Sequence, residues 1–285
     1  MWKRAPAGAL FLLVLLPAPG APGSEVYRWE DEDGTVHYGD RPPPQAERIA
    51  GTKPDPAEAG ELREVERVLD GDTLELANGT RVRLIGLNAP EVAHGGDPAQ
   101  RGGPEARRFL RDLLAGRRVR LERGAEETDR YDRTLAHVFT ADGTSVNALL
   151  LRRGHAHVAV HPPNLSRVAD YFAAERQARR DRRGIWALSR YEVQGADSGR
   201  DLRNSFRRIR GRVKTVDTAR KYVYLRFAED FVAILRKDRA EAFADAGKAL
   251  EALQARTVVV RGWIRLHEGT PAVRIHHPAQ IEAVR

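Results

Sequence analysis

From Arg63 onward the apolar residues fall into a fixed order of segments, and that order constrains the fold more than any other feature. Val65 and Val68, then Leu74 and Leu76, then Val82, Leu84 and Leu87 mark three strands, each with one face turned to a core. Asn78-Gly79 favours a tight hairpin between the second and third. Pro104 opens a helix in which Phe109, Leu110, Leu113 and Leu114 share a face, and Gly116 follows its end. Strands at 119–122 and 134–140 come next, then helices over 146–153 and 167–182. Three strands, a helix and two strands is the order of a five-stranded OB barrel. A second block repeats it, with strands over 207–215, 221–227 and 231–236, a helix over 239–253, and strands over 257–265 and 272–276.

The expected class is therefore mainly β with α: an OB-fold barrel with helices, a second OB-like barrel, and a small N-terminal β-hairpin module. The hairpin is read from Val26-Tyr27-Arg28-Trp29-Glu30 and Thr35-Val36-His37-Tyr38 flanking Asp33-Gly34. Lys3 and Arg4, the apolar run Leu10 to Leu16 and the small residues to Gly23 have the layout of a secretory signal. The divisions are a signal at 1–23, the hairpin module at 24–45, a Pro-, Ala- and Glu-rich linker at 46–62, the first barrel domain at 63–190, a linker at 191–204 and the second barrel at 205–285.

Cysteine is absent, which excludes disulfides and thiolate metal sites. The formal charge of +8 is unevenly spread: residues 24–62 hold ten acids and four bases, so the basic excess lies in the two barrels. A strongly basic body points to a polyanionic partner, nucleic acid above all.

Hydrolysing a phosphodiester requires a group that activates water, cations that neutralise the phosphoryl oxygens, and often a metal. Asp70-Gly71-Asp72-Thr73 occupies the turn between the first two strands of the first barrel. The run Val82-Arg83-Leu84-Ile85-Gly86-Leu87-Asn88-Ala89-Pro90-Glu91 follows, and Asp129-Arg130-Tyr131-Asp132-Arg133 comes later. With Gly103-Pro104-Glu105-Ala106 and Gly184-Ile185-Trp186, these motifs are similar in order and spacing to the staphylococcal nuclease (thermonuclease) family across residues 65–188. Residues 26–44 resemble a small domain of unknown function found at the N-terminus of Gram-negative envelope proteins, which implies location more than activity.

The nuclease resemblance implies a Ca2+-dependent endonuclease that cuts DNA and RNA and leaves 3′-phosphates. It places Glu91 as general base, Arg83 and Arg133 on the phosphate in its transition state, Arg130 and Tyr131 against substrate, and Asp72, Asn88 and the Ala89 carbonyl as Ca2+ ligands. The sequence departs from the family in having Asn88 where an aspartate ligand is expected, which removes a negative charge. It departs again near Val160 and His161, where the family carries a base-stacking aromatic pair. The expected setting is periplasmic or secreted, as a monomer with no stable membrane insertion once the signal is removed. The rival is a catalytically silent nucleic-acid-binding envelope protein.

Other residues are given plainer roles. His137, His155 and His157 lack zinc spacing and read as structural, and His276-His277 as a solvated strand end. Arg176, Arg179, Arg180 and Arg183 form a possible phosphate-tracking row. In the second barrel, alternation puts Ile209 and Val213 inward and Arg208, Arg210, Arg212 and Lys214 outward with Tyr222 and Tyr224, a face suited to single strands.

Overall fold

A computed structural model describes residues 26–30, 36–39, 47–49, 61–198, 202 and 204–284. The expected signal at 1–23 and most of the 46–62 stretch lie outside the described residues. The N-terminal unit contains strands β1 (Val26–Glu30), β2 (Val36–Gly39) and β3 (Glu47–Ile49) in the order β2-β1-β3. β1 and β2 form the expected antiparallel pair, with Glu30 opposite Val36. β3 corrects the linker reading, because backbone at 47–49 pairs with β1.

The first barrel is built from β4 (Arg63–Asp70), β5 (Thr73–Leu76), β6 (Arg81–Leu84), β8 (Arg118–Thr128) and β9 (Thr134–Thr140), closed in the order β4-β5-β6-β9-β8. Leu74 and Leu76, and Val82 and Leu84, are buried in the barrel as period-two alternation requires, while Val65 and Val68, three residues apart, are both buried because β4 shifts register between Val65 and Arg67. Helix α1 (Gly103–Leu114) adds Ala106, Leu110 and Leu114 to that core. Helix α2 (Val146–Arg153) is capped by the Ser145 hydroxyl, which accepts from the Ala148 N–H at 3.2 Å, and ends on left-handed Gly154.

The third strand does not run unbroken to Leu87. Gly86 has φ +80°, and a Cβ there would lie 2.5 Å from the Tyr171 ring of helix α3 (Val168–Arg180). The resulting turn sends β7 (Leu87–Asn88) away from the barrel to pair with β10 (His157–Val158), which fixes where Asn88 and the following residues go.

The second barrel repeats the first. β12 (Ser205–Thr218), β13 (Tyr222–Phe227), β14 (Val232–Arg236), β15 (Thr257–His267) and β16 (Thr270–Ile275) pair in a ring, β12-β13-β14-β16-β15 and back to β12. In both rings the third and fifth strands pair in parallel. The expected helix over 239–253 is interrupted at left-handed Gly247, leaving α4 (Ala240–Asp245) and a 3₁₀ turn at Glu251–Leu253. β11 (Val193–Gly195) pairs with β12, so the stretch read as a second linker is partly an edge strand. β17 (Ile281–Val284) is a further unexpected strand, beside β15.

A buried ionic joint ties the barrels together. Arg261 on β15 is 1% exposed and grips the fully buried Glu175 of α3 through two hydrogen bonds, one at 2.8 Å. Glu282 on β17 accepts from Arg179 of α3 (2.9 Å) and Arg208 of β12 (2.7 Å). Against the upward pull of burial, Arg261, Arg179 and Arg208 hold the Glu282 carboxyl below the usual range. Around these ions His157 stacks on Phe206 at 3.8 Å, and Arg261 lies 4.9 Å from the same Phe206 ring.

The joint corrects two expectations. Arg179 leaves the phosphate-tracking row, in which Arg180 and Arg183 pair with Asp181. Arg208 leaves the outward basic face, although Ile209 and Val213 are inward as expected. Tyr222 and Tyr224 are half-buried against Val232, Ile234 and Ala272, so that face is partly covered. His276-His277 is no solvated end either: His277 accepts from the Ala279 N–H and stacks on Phe172. His137 is buried as expected, against the Tyr171 and Ser166 hydroxyls.

Candidate active site

The turn between β4 and β5 packs tightly because residue 71 lacks a side chain. A Cβ at Gly71 would lie 2.6 Å from the Ala89 Cβ and 2.7 Å from that of Ala106. This approach brings Asp72 to the β7 end. Asp72, 4% exposed, accepts the Ala89 N–H at 2.9 Å and the Arg83 guanidinium at 2.9 Å, both on Oδ2. Its Oδ1 accepts from the Thr73 hydroxyl at 3.1 Å. Arg83 also donates to the Leu87 carbonyl and to Asn88 Oδ1 at 3.1 Å, and the Asn88 amide donates to the Ala89 carbonyl at 3.0 Å. Asp72, Arg83, Asn88 and Ala89 thus form one bonded cluster.

Glu91 belongs to the same charge group. Burial first, then a hydrogen bond with Asp70 and the charges of Asp70 and Asp72, raise its pKa to about 7, with Arg83 opposing. Burial likewise pushes the Asp72 carboxyl up, against Arg83 and the Ala89 N–H. Gly103 permits the close passage of α1: a Cβ there would lie 2.3 Å from the Glu91 carbonyl oxygen.

Arg133 comes from the loop before β9. Asp129 orients it through a 2.8 Å bond to Nε, and its Nη1 lies 3.5 Å from the Thr73 hydroxyl, which joins it to the Asp72 cluster. Tyr131 is 61% exposed, with the guanidiniums of Arg130 and Arg133 at 4.8 and 5.4 Å from its ring. Arg130 also donates to the Tyr131 hydroxyl at 2.7 Å. The structure therefore brings Asp72, Arg83, Asn88, Ala89, Glu91 and Arg133 to one end of the barrel, with Arg130 and Tyr131 at its rim.

The donors fit a hard divalent cation. They are all oxygens, from a carboxylate, an amide and a backbone carbonyl, beside the crowded acids Asp70 and Glu91. Among the described residues no three His, Cys, Asp or Glu side chains form a cage by themselves. A cation here would rely on the Asn88 and Ala89 oxygens.

Comparison with known proteins bears on this arrangement. Residues 81–188 match a family model described as staphylococcal nuclease homologue. Residues 130 in number, 45% of the chain, are 37% identical to 77% of a thermonuclease from Staphylococcus intermedius. The chain belongs to the staphylococcal nuclease family. Further members are a thermonuclease from Staphylococcus hyicus, 34% identical over 43% of the chain and 74% of the relative, and Endonuclease YncB from Bacillus subtilis, 33% identical over 47% and 66%. Residues 11–66 match a domain of unknown function (DUF4124), in line with the N-terminal resemblance. The staphylococcal nuclease match takes in Arg83, Asn88, Ala89, Glu91, Arg130, Tyr131 and Arg133, while the second barrel falls outside it.

Three supporting residues escaped the sequence reading. Asp70 raises Glu91, Thr73 bridges Asp72 to Arg133, and Asp129 aims Arg133. Each stands in a motif already singled out, beside a residue given a role, and only the geometry separates the two.

Proposed function

We propose that this phosphodiester-hydrolysing nuclease is exported to the periplasm or beyond and cuts DNA and RNA with Ca2+, using Glu91 as general base and Arg83 and Arg133 to stabilise the transition state. The observation that carries the reading is the convergence of Asp72, Arg83, Glu91 and Arg133 at one barrel end. Asp72, Asn88 and the Ala89 carbonyl would hold the cation, which when bound supplies charge neutralisation at a phosphoryl oxygen.

The chain's own groups account for the rest. Ionised Glu91 takes a proton from the water that attacks phosphorus, and a pKa near neutrality suits that exchange. The new oxygen–phosphorus bond forms as the opposite one breaks, and the leaving oxygen takes a proton from solvent water while Glu91 returns its own to solvent. Arg83 and Arg133 offer planar forks of donors to the oxygens that gain charge. Export rests on the basic start and apolar run of residues 1–23; among the described residues no helix is long and apolar enough to cross a membrane.

Degradation of single- and double-stranded DNA and RNA, with Ca2+ and with chelator, tests the reading. Cutting that Ca2+ supports, and that Glu91→Gln slows by about 10²–10⁴-fold, is expected. A protein that binds all four polymers and cuts none is instead the silent binder. Fractionation of the producing cells tests export, and retention in the cytoplasm would refute it.

A further inference from the structure

A cleft of about 800 Å³ runs from the phosphate-binding end of the first barrel onto the wall of the second. Arg83, Arg130 and Arg133 line one end, and Trp263, Arg265 and Arg274 the other. Among the described residues the exposed large hydrophobic side chains are Tyr131, Trp263 and Leu266. Two of these three, Tyr131 and Trp263, line this cleft from opposite barrels. Leu266, on the same strand as Trp263, lines a smaller groove that shares Arg265 and Arg274 with the cleft.

The charge is one-sided. Six arginines line the cleft against two carboxylates, Glu126 and Asp129; Arg83, Arg133 and Arg261 are held in ion pairs with Asp72, Asp129 and Glu175, so the positive charge of the cleft comes mainly from Arg130, Arg265 and Arg274. At the second-barrel end, Arg265 lies 5.6 Å from the Trp263 ring and donates to the Asn204 amide oxygen at 3.0 Å. Arg274 lies 6.0 Å from the Tyr222 ring. The pairing of exposed ring and guanidinium thus occurs at both ends, as Tyr131 with Arg130 and as Trp263 with Arg265.

We infer that β15 and β16 supply a second binding subsite for the strand being cut, in which Trp263 stacks on an unpaired base and Arg265 and Arg274 take flanking phosphates. An exposed ring in a positive cleft fits a base that is out of the duplex, since a paired base hides both faces in the stack. The face proposed from alternation alone, along β12 and β13, is replaced by one on β15 and β16 that opens directly onto the phosphate site. The subsite rests on the nuclease reading for its role in cutting, but its occupancy does not depend on catalysis.

The test uses the full chain and a fluorescent single-stranded DNA of about 12 nucleotides, in chelator so that nothing is cut. Trp263→Ala weakens binding about tenfold, and Trp263→Phe, which keeps a stacking ring, restores most of it. Arg265→Gln with Arg274→Gln lowers the slope of log affinity against log salt by about 1.4. A duplex of the same sequence shows no dependence on residue 263. With Ca2+, the ratio of kcat/KM on the long strand to that on a dinucleotide falls by a similar factor in Trp263→Ala. Wild-type affinity and slope in these variants, or equal losses on duplex and single strand, would overturn the subsite. An inactive wild type with intact Trp263-dependent binding would instead overturn the nuclease reading alone.

Discussion

The two barrels share a ring order and differ at the ends of corresponding strands. In the first, the turn from the first strand to the second is Asp70-Gly71-Asp72, with Asp72 buried against Ala89 and Arg83. In the second, the matching turn at 218–221 is exposed. The third strand of the first barrel carries Arg83, held among Asp72, Asn88 and the Leu87 carbonyl. That of the second ends in Arg236, paired on the surface with Asp238. A ring of five strands specifies where these positions fall. Whether they do chemistry depends on how much water the charges there retain.

The sharpest way to break this comparison is to change the two arginine-bearing ends separately. Glu91→Gln lowers kcat by about 10²–10⁴-fold, whereas Arg236→Gln leaves cutting at the wild-type rate. An equal loss in both would mean that the second barrel shares the chemistry. Initial rates on a defined DNA decide it.

The joint comes next. Arg261→Met removes the two-bond partner of buried Glu175, leaving it Arg179 at 3.7 Å, and one of the three arginines on Glu282, and costs about 3–5 kcal/mol in urea unfolding. Removing the exposed Arg236–Asp238 pair, whose charges water already screens, leaves the urea midpoint nearly unchanged. If the two variants unfold at the same urea concentration, burial is not what sets the barrels' ion pairs apart.

Smaller effects refine the site and the interface. Asn88→Asp restores a negative charge beside Asp72 and tightens Ca2+ binding about tenfold in calorimetry; no gain would show that the amide is no handicap. Burial first, and then Arg261, depress the His157 pKa to about 3, so the folded chain keeps this ring neutral where the unfolded chain protonates it. Stability therefore falls as pH drops below about 6.5 and continues to fall towards the folded pKa. His157→Phe makes that decline shallower by up to about 1.4 kcal/mol per pH unit, as read from urea midpoints between pH 6 and 4.

Much of this was legible in the residue order. Apolar pattern and segment order placed the ten barrel strands, and the motifs around Asp72, Arg83, Glu91 and Arg133 pointed to residues that the fold brings together, because each signal is local. What escaped depends on distant partners. Arg208 does point out of its own barrel, as period two requires, but outward there is the joint with the first barrel, where it meets Glu282 of the neighbouring β17. The expected helix over 239–253 breaks at Gly247, and β11 and β17 exist because neighbouring strands offer them backbone partners. The turn at Gly86 follows from the Tyr171 ring, far along the chain.

The buried carboxylate of the joint also imposes an order on maturation. Glu175 is made 86 residues before Arg261, the guanidinium that neutralises it. A chain synthesised from its N-terminus thus completes the sequence of its cutting half with Glu175 facing Arg179, 3.7 Å away on the same helix, but without its two-bond partner. The later half acts as a delayed latch, closing the two-bond grip on Glu175 only when β15 has been delivered.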